Sequence, residues 1–252
     1  MHDVTWGLDL STSPRKTAAV ALGWSTPGEA QVLEVRHPLT ATDIVALIAA
    51  HRESSWAVDV PFGWPDDFVE VMAGRHTRPL RGDEIPAPAA WDDWRTHQIA
   101  QRRTDRFLTS HPRIGVRPLP AAFQLLGATA AMWVLVEAQL AQCGVAVDRA
   151  GVTGAICETY PRAAQVAWGL TGSKRTWPQL HEAFPFLRVE AGLLSAFAHD
   201  DVRDALVCAL VGRARALGLT IGPPSIDLAA ARREGWIHVS CEPASRLVAT
   251  TS

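Results

Sequence analysis

The chain has 252 residues, enough to bury a sizeable core in one large domain or two small ones. Hydrophobic residues make up 48% and charged residues 20%, which excludes general disorder. The formal net charge of -2 excludes a globally basic nucleic-acid coat and leaves only a local patch for such binding.

In chain order, the first predicted element is a strand at 4–10, where Val4, Trp6, Leu8 and Leu10 alternate with Thr5, Gly7 and Asp9. No signal-peptide pattern precedes it, so the cytoplasm is the expected compartment. Strands are also predicted at 17–23 and 31–35, joined as a hairpin across Ser25-Thr26-Pro27-Gly28. Residues 42–51 carry Ile44, Val45, Leu47 and Ile48 at helical spacing, with Thr42 as the candidate cap. A fourth strand at 56–60 stops at Pro61, which lacks a ladder donor.

A helical insert is expected at about 63–150, between the fourth and fifth strands of a single domain. It holds a Pro-rich loop at 78–88, and Trp91 and Trp94 at helical spacing read as core. Its most apolar stretch, 121–143, is broken by Gln124, Gly127, Thr129, Glu137 and Gln139, so it reads as a buried helix and not a membrane span. The pattern resumes with a strand at 154–159 and a helix at 161–169 opened by Pro161. A helix at 200–217 closes on Gly218, and the tail adds a short helix and a last strand. Cys143, Cys157, Cys208 and Cys241 show no metal-finger spacing and read as buried thiols in a reducing compartment.

Five acidic residues stand at element ends. Asp9 and Asp59 close apolar strands, where a carboxylate is costly to bury unless it is paired or bound to metal. If those strands are parallel neighbours, the two carboxylates meet at the rim where open α/β sheets bind ligands. Asp201 and Asp204, in HDDVRDALVCAL, are three apart on one helix face. Asp200 suits a capping role. Glu158, in ICETYPRAA, occupies the same kind of strand end, with a salt bridge to Arg162 as its plain structural alternative. Tyr160 is expected to pack beside the carboxylates. Oxygen-only ligands suit magnesium or manganese over zinc.

The ordered set GLDLS, AVDVPFGWP, RRTDR, ETYPRAA, HDDVRDALVCAL, Gly222-Pro223-Pro224 and EGWI resembles an uncharacterised bacterial and archaeal family, domain of unknown function 429. That family is described as predicted nucleases of ribonuclease-H-like fold, and the resemblance spans nearly the whole chain. It implies a mixed sheet of three antiparallel strands followed by parallel ones, in the order 3-2-1-4-5, flanked by helices. More distantly, Asp9, Asp59 and the Asp201/Asp204 pair resemble the acidic quartet of Holliday-junction resolvases. Asp59 stands where those enzymes carry a glutamate, and Glu158 has no counterpart in that quartet.

The resemblance implies phosphodiester hydrolysis of DNA or RNA with two Mg2+ or Mn2+ ions about 3.5–4 Å apart. Asp9 would bridge the ions, Asp59 and Asp204 would hold one each, and Asp201 or Glu158 would complete the shell. His199 is a candidate proton shuttle, with a surface or capping role as its alternative. Arg102, Arg103 and Arg106, in a stretch that begins at Arg95, are candidates for gripping a phosphate backbone, against the alternative of a solvated helix face. Two other functions remain open. One is an ATP-dependent phosphotransferase of the actin-like or sugar-kinase type, although the turn Ser11-Thr12-Ser13-Pro14-Arg15 lacks phosphate-cradling glycines. The other is a non-catalytic binding module.

Overall fold

The computed structural model describes residues 4–75, 99–121, 124–170 and 176–248. The predicted loop at 78–88, Trp91, Trp94 and Arg95 lie outside the described residues. Seven strands form one sheet: β1 (Val4–Asp9), β2 (Ala18–Gly23), β3 (Ala30–Arg36), β4 (Ser55–Asp59), β5 (Ile156–Thr159), β6 (Leu187–Arg188) and β7 (Ile237–His238). Their order is β6-β3-β2-β1-β4-β5-β7, which contains the expected 3-2-1-4-5. The pairings β1–β2 and β2–β3 are antiparallel, while β1–β4 and β4–β5 are parallel. β6 was not anticipated and extends the β3 edge in parallel; β7 does the same beside β5.

Eight α-helices accompany the sheet among the described residues. They are α1 (Ala41–Ala50), α2 (Asp66–Met72), α3 (Arg103–Ser110), α4 (Gln124–Gln142), α5 (Pro161–Ala167), α6 (Trp177–Ala183), α7 (Asp200–Ala216) and α8 (Leu228–Glu234). Helices α2, α3 and α4 fall between β4 and β5. Thr40, not Thr42, caps α1: it accepts from the Asp43 amide, and Asp43 returns a bond to the Thr40 amide. Helix α4 differs from expectation too. Ala130, Trp133, Val136 and Leu140 face inward at helical spacing, while Leu135 is exposed, so the helix lies on the surface with one buried stripe. No helix among the described residues is long and apolar enough to cross a membrane. Cys157 and Cys208 are buried as expected, but Cys143 is exposed and Cys241 only partly covered.

The pleat divides two cores. Trp6, Leu8, Trp56, Val58 and Ile156 pack on one face with Ile44 and Ile48 of α1 and Trp133, Val136 and Leu140 of α4. On the other face Ala18, Val20, Leu22, Ala57 and Cys157 meet the apolar residues of α7 and α5. Helix α7 comes unusually close to the sheet. A Cβ on Gly7 would stand 2.0 Å from the Ala205 carbonyl oxygen and 2.2 Å from the Ala209 nitrogen. Strand hydroxyls fix the helix in place. Thr5 Oγ1 donates to the Ala209 carbonyl at 3.0 Å and Ser55 Oγ to that of Gly212 at 2.9 Å.

Gly7→Ala is therefore expected to destabilise the fold by about 3 kcal/mol, because helix backbone must retreat from the sheet. At Gly212, where a Cβ would meet nothing nearer than 3.4 Å, alanine should be close to neutral. Urea unfolding of the two variants checks this contrast.

Candidate functional site at the carboxyl rim of the sheet

Asp9 and Asp59 are register partners on the parallel pair β1–β4, so their Cα atoms are neighbours across the ladder at about 5 Å. They share the face of Gly7 and Ala57, over which α7 lies. Both are half-buried. Helix α7 begins at this rim and brings in Asp201 and Asp204 from its first turns. Gln165 of α5 donates to Asp204 Oδ1 at 3.3 Å.

The carboxylates feel one another. Burial, followed by the charges of Asp59, Asp204 and Asp201, pushes the Asp9 carboxyl well above the ordinary range. Asp59 is raised by burial and then by Asp204 and Glu158. Asp204 is pushed up to about 6, chiefly by burial and then by Asp200, with Arg203 and the Gln165 bond opposing. Tyr160 packs at the same place, and burial, then the Asp59 charge, raises its phenol.

Glu158 does not join this group. Its register partner is Val58, on the opposite face from Asp59, because successive strand residues alternate sides. Nor does it pair with Arg162. Arg102 holds it through Nη2 at 2.7 Å and Nη1 at 2.9 Å, and Phe62 donates its amide at 3.0 Å. Burial raises the Glu158 carboxyl, and Arg102 works against that shift.

The arginine stripe is likewise corrected. Arg102 is 2% exposed, and its five N–H groups all have acceptors. Two go to Asp105 from Nε and Nη2, two to Glu158, and one to the Glu234 carbonyl. It precedes α3 and has no donor left for phosphate. Arg103 is half-exposed and pairs with Asp227 at 2.9 Å. Arg106 bonds the Gln101 carbonyl at 3.3 Å.

His199 caps α7 by backbone position without a side-chain bond. Asp200 does not cap; it pairs with Arg203. Sequence reasoning missed His37. Its ring lies 4.5 Å from that of His199, and its Nε2 is 3.0 Å from the Arg15 carbonyl and 3.8 Å from Asp201 Oδ2. The signal was available: β3 runs parallel to β1, so the residue after it falls at the same rim.

Among the described residues no group of three or more His, Cys, Asp and Glu stands ready to hold a metal ion. Beside Asp59 a cavity of about 110 Å³ opens between the ends of β4 and β5 and the segment carrying Pro118 and Leu119.

Fold and site together define an α/β protein with a mixed sheet in the order 3-2-1-4-5 and a carboxylate-rich rim under a buried helix. The chain belongs to the family described as a protein of unknown function, DUF429, whose model matches residues 7–227. No curated protein and no solved structure matches it.

Two measurements follow from this electrostatics. A carboxyl with a higher pKa folded than unfolded takes up a proton on folding, so its ionisation weakens the fold as pH rises through about 6. Burial holds His238 at about 4, which acts oppositely over that window, so the Asp204 contribution is read against a variant. In chelator, Asp204→Asn should exceed wild type in stability at pH 7.5 by on the order of 1 kcal/mol, with the gap narrowing below about pH 6 and closing toward pH 4. Arg102→Ala, which strands two buried carboxylates, should cost about 3–5 kcal/mol. Arg103→Ala should cost under about 1 kcal/mol.

Proposed function

We propose that the protein is a metal-dependent nuclease that hydrolyses phosphodiester bonds of DNA or RNA at the Asp9/Asp59/Asp204 rim. One observation carries this reading: Asp9 and Asp59 stand in register on adjacent parallel strands at the rim where α7 brings in Asp204, and each of the three is raised by burial and then by neighbouring carboxylates. No basic side chain is bonded to Asp9 or Asp59 among the described residues, in contrast to Glu158. An uncompensated, all-oxygen, half-open donor set fits a hard divalent cation in charge and atom type.

Asp9, Asp59 and Asp204 would hold Mg2+ or Mn2+, with Asp201 beside them. The bound ions would polarise the phosphate and lower the pKa of water at neutral pH. The chain's own residues do the rest. Asp9 and Asp59, fixed by the strand register, set where the scissile phosphate sits. Gln165 orients Asp204 through its amide. His37 and His199 stand next to Asp201, where a leaving-group oxygen can receive a proton. Arg103, half-exposed, is the member of the arginine set best placed to meet a backbone phosphate at the surface. Glu158 and Arg102 are taken up by one another, so neither has a part in the chemistry.

The phosphotransferase alternative finds less support. The turn after Asp9 closes on itself: the Ser11 amide donates to Thr17 Oγ1, which donates back to the Ser11 carbonyl, both at 3.0 Å. Those groups are not free to cradle a phosphate.

Calorimetry with Mn2+ should show binding at or below millimolar concentration, and a panel of structured and single-stranded DNA and RNA should be cut only with Mg2+ or Mn2+. Asp9→Asn should lose at least a hundredfold in cleavage while raising stability in chelator, because a repelling charge is removed. A protein that binds no Mn2+ and cuts nothing refutes the reading; ATP hydrolysis without cleavage would favour the phosphotransferase.

A further inference from the structure

The cavity beside Asp59 lies within reach of the rim yet is walled differently. Its lining joins Asp59, Glu158 and Tyr160 to the apolar side chains of Pro118, Leu119 and Leu126. At about 110 Å³ it is somewhat smaller than a cavity of about 150 Å³ known to admit one benzene ring. With an open mouth it can take a flat six-membered ring only edge-on, the rest of the ring standing outside, and has no room for a whole nucleotide. Tyr160 supplies an aromatic side chain and the aliphatic residues supply dry surface, the combination on which unstacked bases settle regardless of sequence.

The polar wall is selective. Arg102 lines the cavity, but its donors are all engaged, so it offers nothing to a ligand. Glu158 accepts two bonds from Arg102 and one from Phe62, which leaves one of about four carboxylate acceptor positions. Thr159, also on the wall, donates its hydroxyl to the His238 carbonyl at 2.8 Å, so it too presents only an acceptor. The cavity therefore suits a single ring bearing an N–H edge.

We infer that this cavity receives one unstacked pyrimidine base of the substrate, the base flanking a phosphate held at Asp9 and Asp59. The inference rests on the nuclease reading and deepens it: the substrate presents single-stranded or splayed nucleotides, and a pyrimidine is preferred over a purine beside the cut.

The test compares binding of cytidine 5′-monophosphate, adenosine 5′-monophosphate and ribose 5-phosphate to the full chain with Mn2+. The cytidine nucleotide should bind at least tenfold tighter than ribose 5-phosphate, and adenosine 5′-monophosphate should lose most of that advantage. Leu119 is 59% exposed, so Leu119→Trp can fill the mouth without disturbing the core. It should abolish the cytidine advantage and leave Mn2+ and ribose 5-phosphate binding unchanged; Leu126→Trp provides a second variant. Equal binding of cytidine 5′-monophosphate and ribose 5-phosphate overturns the inference, as does an advantage that survives both tryptophans. If Mn2+ binds and nucleic acid is cut without base preference, only the cavity assignment fails. If Mn2+ does not bind and nothing is cut, the nuclease reading fails and takes the inference with it.

Discussion

The rest of the structure depends on the contact of α7 with β1 at Gly7, where helix and strand meet backbone to backbone. A side chain at that position would push the helix outward, and the carboxylates of its first turns would leave the rim with it. Ala205 and Ala209 keep the helix side of the contact small, and Thr5 and Ser55 bond carbonyls along the same helix. These bonds leave α7 little room to slide, so Asp204 stays above Asp9 and Asp59. The helix also begins at the rim, so the positive end of its dipole faces the acids it adds to.

Two sets of acids occupy opposite faces of the strand ends, and their treatment differs. On the α4 face, Glu158 is paired with Arg102, which also carries Asp105 and bonds the Glu234 carbonyl. That strut joins the start of α3 to the end of β5 and, through the Phe62 amide, to the turn after β4. On the α7 face, Asp9, Asp59 and Asp204 repel one another with no such partner among the described residues. The fold supplies a buried arginine bonded to Glu158 and, among the described residues, bonds none to Asp9 or Asp59, while Arg203 offsets part of the Asp204 shift.

How much of this was legible in the sequence depended on the range of the signal. The alternation of Val4 to Leu10 and the apolar run ending at Asp59 gave the two strands, and their parallel pairing gave Asp9 and Asp59 as neighbours. Asp201 and Asp204 followed from helical spacing. Glu158 was misplaced because a strand end fixes the rim but not the face. One residue of register, with Thr159 and not Glu158 opposite Asp59, sends it across the sheet. Arg102 was misread because its partner Glu158 is 56 residues away, and no local pattern separates a buried arginine from a solvated one. His37 required counting strand directions across three strands. β6, at two residues, is too short for any periodicity to register.

The strut also acts on the rim. Arg102 carries one positive charge against the two carboxylates of Asp105 and Glu158, so the buried group has a formal surplus of one negative charge. Glu158 adds to the field that raises Asp59 even across the sheet. The compensation is thus incomplete, and the residual negative charge reaches Asp59 across the sheet. A fully neutral strut, with a second arginine, would remove only the smallest of the three causes that raise Asp59, after burial and the Asp204 charge. The imbalance links the insert, through Arg102 at the start of α3, to the electrostatic field at the rim.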